Sequence, residues 1–161
     1  MSATQGRLIV DIARLDKGGE RYAGELPAEV LELGANEVLA PLGGPRYDLS
    51  VQLLAGHELL VRGGVSQRLR CVCVRCAAEF ESEARDGEFA VCQEISSETD
   101  FLDLTAEVRE SIILALPGYP VCREDCKGLC ATCGVDLNKR TCKCRKAATR
   151  DSQWAALDTL M

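Results

Sequence analysis

Tyr47-Asp48-Leu49-Ser50-Val51-Gln52-Leu53 alternates apolar and polar residues without a break. That is the period of a strand with one face buried and the other in solvent. Working outward, Gly56 interrupts the pattern and His57–Arg62 supplies a second strand. Gly63-Gly64 reads as another break, ahead of a third strand from Val65 to Cys73. On that strand Val65, Leu69 and Cys71 share one face, and Ser66, Arg68 and Arg70 the other. After a turn at Cys73–Cys76 the chain returns through Ala78, Phe80, Ser82 and Ala84. The apolar parity then moves to Phe89 and Val91, which calls for a bulge or turn at Asp86-Gly87. Connections this short join antiparallel neighbours.

Upstream, Arg7–Leu15 reads as a first strand closed by Lys17-Gly18-Gly19. The stretch 22–42 is less regular, punctuated by Pro27 and Pro41, with Val30, Leu31, Leu33, Val38 and Leu39 as core candidates. Gly43-Gly44-Pro45 is a turn. Downstream the period changes. Leu104, Val108, Ile112 and Ala115 trace the stripe of an amphipathic helix. Asp103 suits its N-cap, Glu107 its first turn, and Pro117-Gly118 stops it. A last short helix is expected from Asp151 to Met161, with Trp154, Leu157 and Met161 on its apolar side.

The expected class is α+β. An antiparallel sheet or partly open barrel with one main helix (1–117) precedes a cysteine-rich, zinc-binding tail with a short C-terminal helix (118–161). A chain of 161 residues, 47% hydrophobic and 27% charged, is long enough for a core and too apolar for wholesale disorder. Its longest strongly apolar run, Ile112–Leu116, is far too short to span a bilayer. Met1–Leu8 lacks the basic-then-apolar pattern of a secretory signal, so a cytoplasmic protein is expected.

Charge is unevenly divided within a net of −6. Met1–Val121 holds 11 Lys/Arg against 20 Asp/Glu, whereas Cys122–Arg150 holds eight against three. An acidic body with a small basic insert does not suit a chain that wraps nucleic acid alone. Seven aromatic residues are also a poor supply for a base-stacking surface.

The chemistry lies in ten cysteines and one histidine. In a reducing compartment such density points to metal or redox chemistry rather than disulfides. Cys122, Cys126, Cys130, Cys133, Cys142 and Cys144 fall within 23 residues. Cys130-Ala-Thr-Cys133-Gly134 is a knuckle, whose glycine lets the chain turn back so that amides face sulfur. Four of the six would hold one structural zinc, namely Cys130 and Cys133 with either Cys142/Cys144 or a pair including Cys122 or Cys126. An iron–sulfur cluster is a lesser option. A closed four-sulfur site has no open coordination position and is therefore structural. Cys73-Val-Arg-Cys76 forms a further thiol pair at a strand end. It reads first as a turn with buried thiols, then as a half-site completed by tail cysteines. A redox dithiol activated by Arg75 comes third. Cys71 belongs with the core and Cys92 stands alone. His57, in a strand pattern, is the only imidazole available for catalysis, and no phosphate-binding glycine loop is present.

Cys73-Val-Arg-Cys76, Ile112-Ile-Leu-Ala-Leu-Pro117, Cys122-Arg-Glu-Asp-Cys126-Lys-Gly-Leu-Cys130-Ala-Thr-Cys133-Gly-Val-Asp-Leu-Asn138 and Asp151-Ser-Gln-Trp-Ala-Ala-Leu157 occur in that order. In this combination the chain resembles the YceD family, the large ribosomal RNA subunit accumulation proteins, from about Arg70 to the end. It departs from the family pattern at Ala131, where proline is usual, and at Ser152-Gln153 before Trp154. The resemblance implies a non-enzymatic ribosome biogenesis factor that supports accumulation of large-subunit ribosomal RNA. Its partner would be the precursor large ribosomal subunit, through RNA or a ribosomal protein, with no membrane and no small-molecule substrate. Lys127, Lys139, Arg140, Lys143 and Arg145 are the candidates for phosphate contact. A zinc-stabilised protein-interaction module is the alternative, and a thiol redox protein using Cys73 and Cys76 the less favoured one.

Overall fold

One 15-residue strand, β5 (Glu58–Val72), organises the molecule. The computed structural model describes residues 6–15, 18–34, 38–54, 57–96 and 100–144. Along one edge β5 pairs first with β4 (Arg46–Leu54) and then with β3 (Leu39–Pro41). Along the other it pairs throughout with β6 (Glu79–Glu94). Outside β4 lies β2 (Glu20–Glu25). All these pairings are antiparallel, and β2 and β6 do not pair, so the sheet is an open half-barrel.

The break expected at Gly63-Gly64 does not occur, and the second and third strands are one. Glycine is needed there for close approach, not for a turn. A Cβ on Gly63 would lie 2.1 Å from the Asp48 carbonyl oxygen of β4. The irregularity expected at Asp86-Gly87 is a bulge. Gly63 pairs with Phe89 and Val65 with Asp86, so β6 carries one residue more than β5 between those pairs. The Glu88 amide donates to Asp86 Oδ1 at 2.9 Å, and the inward face of β6 moves from Ala84 to Phe89 across it.

The first strand is also shorter than expected. β1 (Ile9–Asp11) gives way to a 3-10 turn at Ile12–Arg14 and pairs with β7 (Phe101–Asp103) in a separate two-stranded sheet. The helix α1 (Thr105–Ala115) begins just after β7. Asp103 Oδ1 accepts from the Thr105 amide at 2.9 Å, one residue ahead of the assigned N-cap, Leu104. Leu104, Val108 and Ile112 are fully buried, and α1 lies against β6 and β5. Val38 and Leu53, by contrast, remain partly in solvent. The helix expected from Asp151 to Met161 lies outside the described residues, as do Lys17 and Gly56.

The core follows β5 from end to end. Leu59, Val61 and Val65 pack with Leu49, Val51, Phe89, Val108 and Ile112. Further along, Leu69 and Cys71 meet Ala84. Gln67, buried between these groups, donates to the carbonyls of Gly43 and Arg68 at 3.1 and 2.7 Å. Past the end of the strand, the buried face ends in sulfur, with Cys73, Cys76 and Cys126 together.

Candidate metal centre

The turn joining β5 to β6 aims two thiols the same way. The Ala77 amide donates to the Cys73 carbonyl at 2.8 Å, and the Cys73 amide to Ala78 at 2.9 Å. Ala77 takes the left-handed conformation (φ +56°) to close the turn. The chain after α1 is laid across it. The Val74 amide donates to the Pro120 carbonyl at 3.0 Å, and the Leu129 amide to the Arg75 carbonyl at 2.9 Å. Gly128 has φ +72°, and a Cβ there would meet the Arg75 carbonyl oxygen at 2.9 Å, so only glycine fits easily. The Arg75 guanidinium reaches the carbonyls of Glu124 and Cys126 at 3.2 and 3.3 Å. It therefore clamps the incoming backbone, where a role in activating a thiol had been one expectation.

Cys122 and Cys126 are thereby carried onto Cys73 and Cys76. Sγ of Cys73 lies 3.9 Å from that of Cys126, and Sγ of Cys76 lies 3.7 Å from that of Cys122. A second group forms beyond it. The Gly134 amide donates to Cys130 and the Cys130 amide to Val135, both at 2.8 Å, with Gly134 at φ +71°. This knuckle meets Cys142, whose sulfur is 3.3 Å from that of Cys130 and 3.6 Å from that of Cys133. Cys144 completes the set, and within each group of four all sulfurs lie within 4.8 Å of one another.

These spacings can be set against two chemistries. Disulfide sulfurs sit about 2.0 Å apart, well inside the 3.3–3.9 Å separations quoted above. Four thiolates about 2.3 Å from a tetrahedral metal are separated by about 3.8 Å. Eight soft donors in two closed sets of four thus fit a divalent, thiophilic metal. The second group is the Cys130/Cys133 knuckle with Cys142/Cys144, one of the two sets expected from sequence, and the first joins the remaining tail cysteines, Cys122 and Cys126, to Cys73 and Cys76. The thiols of the Cys73–Cys76 turn are buried, and they also lie with two tail cysteines, the arrangement of the half-site alternative. Among the described residues, Cys71 is buried and Cys92 exposed, and neither joins a group.

Electrostatics within each group point the same way. Burial pushes the Cys73 thiol up, but the amides of Cys122, Cys76 and Arg75 outweigh it and bring it to about 6. Burial, reinforced by Cys126 and its neighbours, raises Cys122 to about 12. In the second group the Cys133 and Thr132 amides lower Cys130 to about 6, whereas hydrogen bonds donated by the Cys144 thiol to Cys142 and Cys133 raise it to about 12. Four sulfurs this close resist ionising together, and a bound cation removes that conflict.

Lys127, which follows Cys126 of the first group, is exposed, as are Lys139, Arg140 and Lys143 between Cys133 and Cys144 of the second. Lys139 lies 3.7 Å from Asp136 and so contributes less net charge than its neighbours. Arg145 lies outside the described residues. His57 sits in the β4–β5 connection with φ +64°, at the start of β5, away from both groups. Sequence reasoning missed Asn138. Its Nδ2 donates to Cys126 Sγ at 3.4 Å, and its Oδ1 accepts from the Lys127 amide at 2.8 Å. Asp136-x-Asn138, an Asx-type turn whose Asn138 stands twelve residues after Cys126 and eight after Cys130, is the available signal.

The fold and site define an antiparallel-sheet protein, with one α-helix among the described residues, in which the β5–β6 turn and the segment after that helix together form two tetracysteine groups of metal-site geometry. The family described as "Large ribosomal RNA subunit accumulation protein YceD" matches residues 81–161. This chain belongs to the YceD family. The match begins after Cys76, so the first half of one cysteine group lies outside it. An uncharacterized protein of Mycobacterium leprae is 32% identical over 120 residues, covering 65% of this chain and 55% of its own length. One of Mycobacterium tuberculosis is 30% identical over 154 residues, covering 81% of this chain and 70% of its own. A chloroplastic protein of Arabidopsis thaliana, named as a YCED homolog for large ribosomal RNA subunit accumulation, is 37% identical over 43 residues. That match covers 27% of this chain and 13% of the plant protein. No solved structure matches the chain. No helix among the described residues is long and apolar enough to cross a membrane.

Proposed function

We propose that this protein is a non-enzymatic, cytoplasmic factor supporting accumulation or processing of large-subunit ribosomal RNA, with zinc held by its cysteines. The observation that carries the reading is membership of the YceD family over residues 81–161. Zinc is the natural metal for closed tetrathiolate groups, because it requires neither a redox partner nor a further ligand. Its role is to order a segment poor in apolar residues. Between Cys122 and Cys144 only Leu129, Val135 and Leu137 are aliphatic residues larger than alanine.

The partner in this reading is a precursor of the large ribosomal subunit. In this reading Lys127, Lys139, Arg140, Lys143 and Arg145 are the residues that meet phosphate, giving binding that weakens as salt rises. Native protein sedimented through a density gradient at low and moderate salt should travel with pre-large-subunit particles and leave them as salt increases. Lys127→Glu with Arg140→Glu should weaken co-migration and flatten its salt dependence. Migration only as a free small protein at both salts would count against stable particle binding. RNase-insensitive capture of one protein partner would instead favour the interaction-module reading. The thiol redox reading is weakened because Cys73 and Cys76 are buried with Cys122 and Cys126.

A further inference from the structure

The two cysteine groups differ in how the fold encloses them. Cys73, Cys76 and Cys126 are at most 7% exposed, and Cys122 is half-buried. They pack with Ala78, Phe80 and Val121. Their sulfurs come from segments 46 and 53 residues apart, one on the sheet and one in the tail. In the other group Cys133 is exposed and Cys130, Cys142 and Cys144 are half-buried. All four come from a single 15-residue stretch. A chelator can reach that second group from solvent, whereas access to the first requires the tail to lift from the Val74–Pro120 and Arg75–Leu129 hydrogen bonds.

The groups also touch each other through one side chain. Asn138 lies in the loop between Cys133 and Cys142, yet its amide donates to Cys126 of the first group. Its carbonyl oxygen holds the Lys127 amide and Arg123 Nη2, at 2.8 and 3.0 Å. The same loop is anchored by the Leu129–Asp136 bridge and the Leu137 amide on the Gly128 carbonyl. Outer ligands of this kind tune the metal affinity of the sulfur they face.

We infer that the protein holds two metal ions of unequal lability: a permanent one at Cys73, Cys76, Cys122 and Cys126 that staples tail to sheet, and an exchangeable one at Cys130, Cys133, Cys142 and Cys144, with Asn138 coupling them. The inference rests on the metal part of the proposed function and is independent of the ribosomal part. The exchangeable site is the one at which the basic face can be loosened or ordered by metal supply, while the staple persists.

The test is made on the full chain reconstituted with Zn2+. Native mass spectrometry counts the ions, a chromogenic chelator times their release, and N-ethylmaleimide mapping identifies the cysteines exposed in each phase. Two ions and two phases are expected, the fast phase exposing Cys130, Cys133, Cys142 and Cys144. Cys130→Ser with Cys133→Ser should retain one ion and only the slow phase. Asn138→Ala should keep both ions and speed the slow phase about tenfold. Asn138→Asp, which retains the acceptor for Lys127 but loses the N–H facing sulfur, should also speed it. One ion per chain, a single release phase, fast release from the first group, or a slow phase indifferent to both Asn138 variants would overturn the inference. Absence of any bound Zn2+ would overturn the metal reading with it, while leaving the sedimentation result to stand or fall by itself.

Discussion

Gly63 and Gly64 are adjacent in sequence and look alike there, but they do different things. Gly63 allows the β4 backbone to come close, since a Cβ would lie 2.1 Å from Asp48 O and 2.9 Å from Leu49 Cα. The corresponding atom on Gly64 would meet nothing nearer than 3.6 Å. Gly63→Ala should therefore destabilise the protein by about 1–3 kcal/mol through forced separation of the two strands. Gly64→Ala should stay within about 0.5 kcal/mol. Urea unfolding midpoints at constant slope compare them, and equal losses would contradict the close-approach argument. Glu25 offers a pH counterpart. The Gly44 amide, at 3.0 Å, and then Arg46 hold its carboxyl below the ordinary glutamate range. A depressed folded-state value means its contribution is present above the unfolded value and is lost as pH falls through the folded one. Glu25→Gln should flatten that part of the acid limb of a stability–pH curve. An unchanged limb would show that the contact is energetically silent.

At the scale of the element, α1 shows how a weak stripe becomes a firm anchor. Its pattern of apolar residues is legible in sequence, and Leu104, Val108 and Ile112 are each at most 1% exposed. Leu114, one residue from the end, is 79% exposed despite being as apolar as the rest. Ile112→Ala should cost about 2–5 kcal/mol, as expected for a large side chain removed from a closed core. Leu114→Ala should cost less than about 0.5 kcal/mol. Thermal melts of the two variants distinguish the faces, and comparable losses would mean that Leu114 is covered in solution. The β5–β6 pair shows the opposite relation between pattern and structure. Its bulge was legible, because parity slipped between Ala84 and Phe89, whereas the continuity of β5 was not. Paired glycines are commonest in turns, and only the pairing of β4 across Gly63 reveals why this pair belongs inside a strand.

For the whole molecule, the sheet and the cysteine tail have different sources of stability. The sheet closes over an aliphatic core, while the tail rests on backbone hydrogen bonds and sulfur. Prolonged chelation at neutral pH should strip amide protection from residues 120–144 and leave that of β4, β5 and β6 largely intact, read by hydrogen exchange. Structural zinc contributes roughly 10–16 kcal/mol in small domains, ample to account for such a segment. Uniform loss of protection across sheet and tail would show that the two fold as one unit with the metal. Unchanged protection in the tail would show that its order does not depend on metal at all.

The sequence by itself determined what is local. Alternation marked the strands, the change of period marked the helix, and the Cys130–Cys133 knuckle with its glycine was visible because its ligand candidates lie within 15 residues. The YceD resemblance was legible for the same reason, since its motifs are short and ordered. Only the tertiary structure decided how the cysteines divide. Cys73 and Cys126 are 53 residues apart and Cys76 and Cys122 are 46 apart, distances at which spacing carries no geometric information. Their meeting depends on where β5 ends, how α1 crosses the sheet, and the hydrogen bonds that seat residues 120–129 on the Cys73–Cys76 turn. Those are properties of packing, which closes the long loop before the sulfurs can face one another.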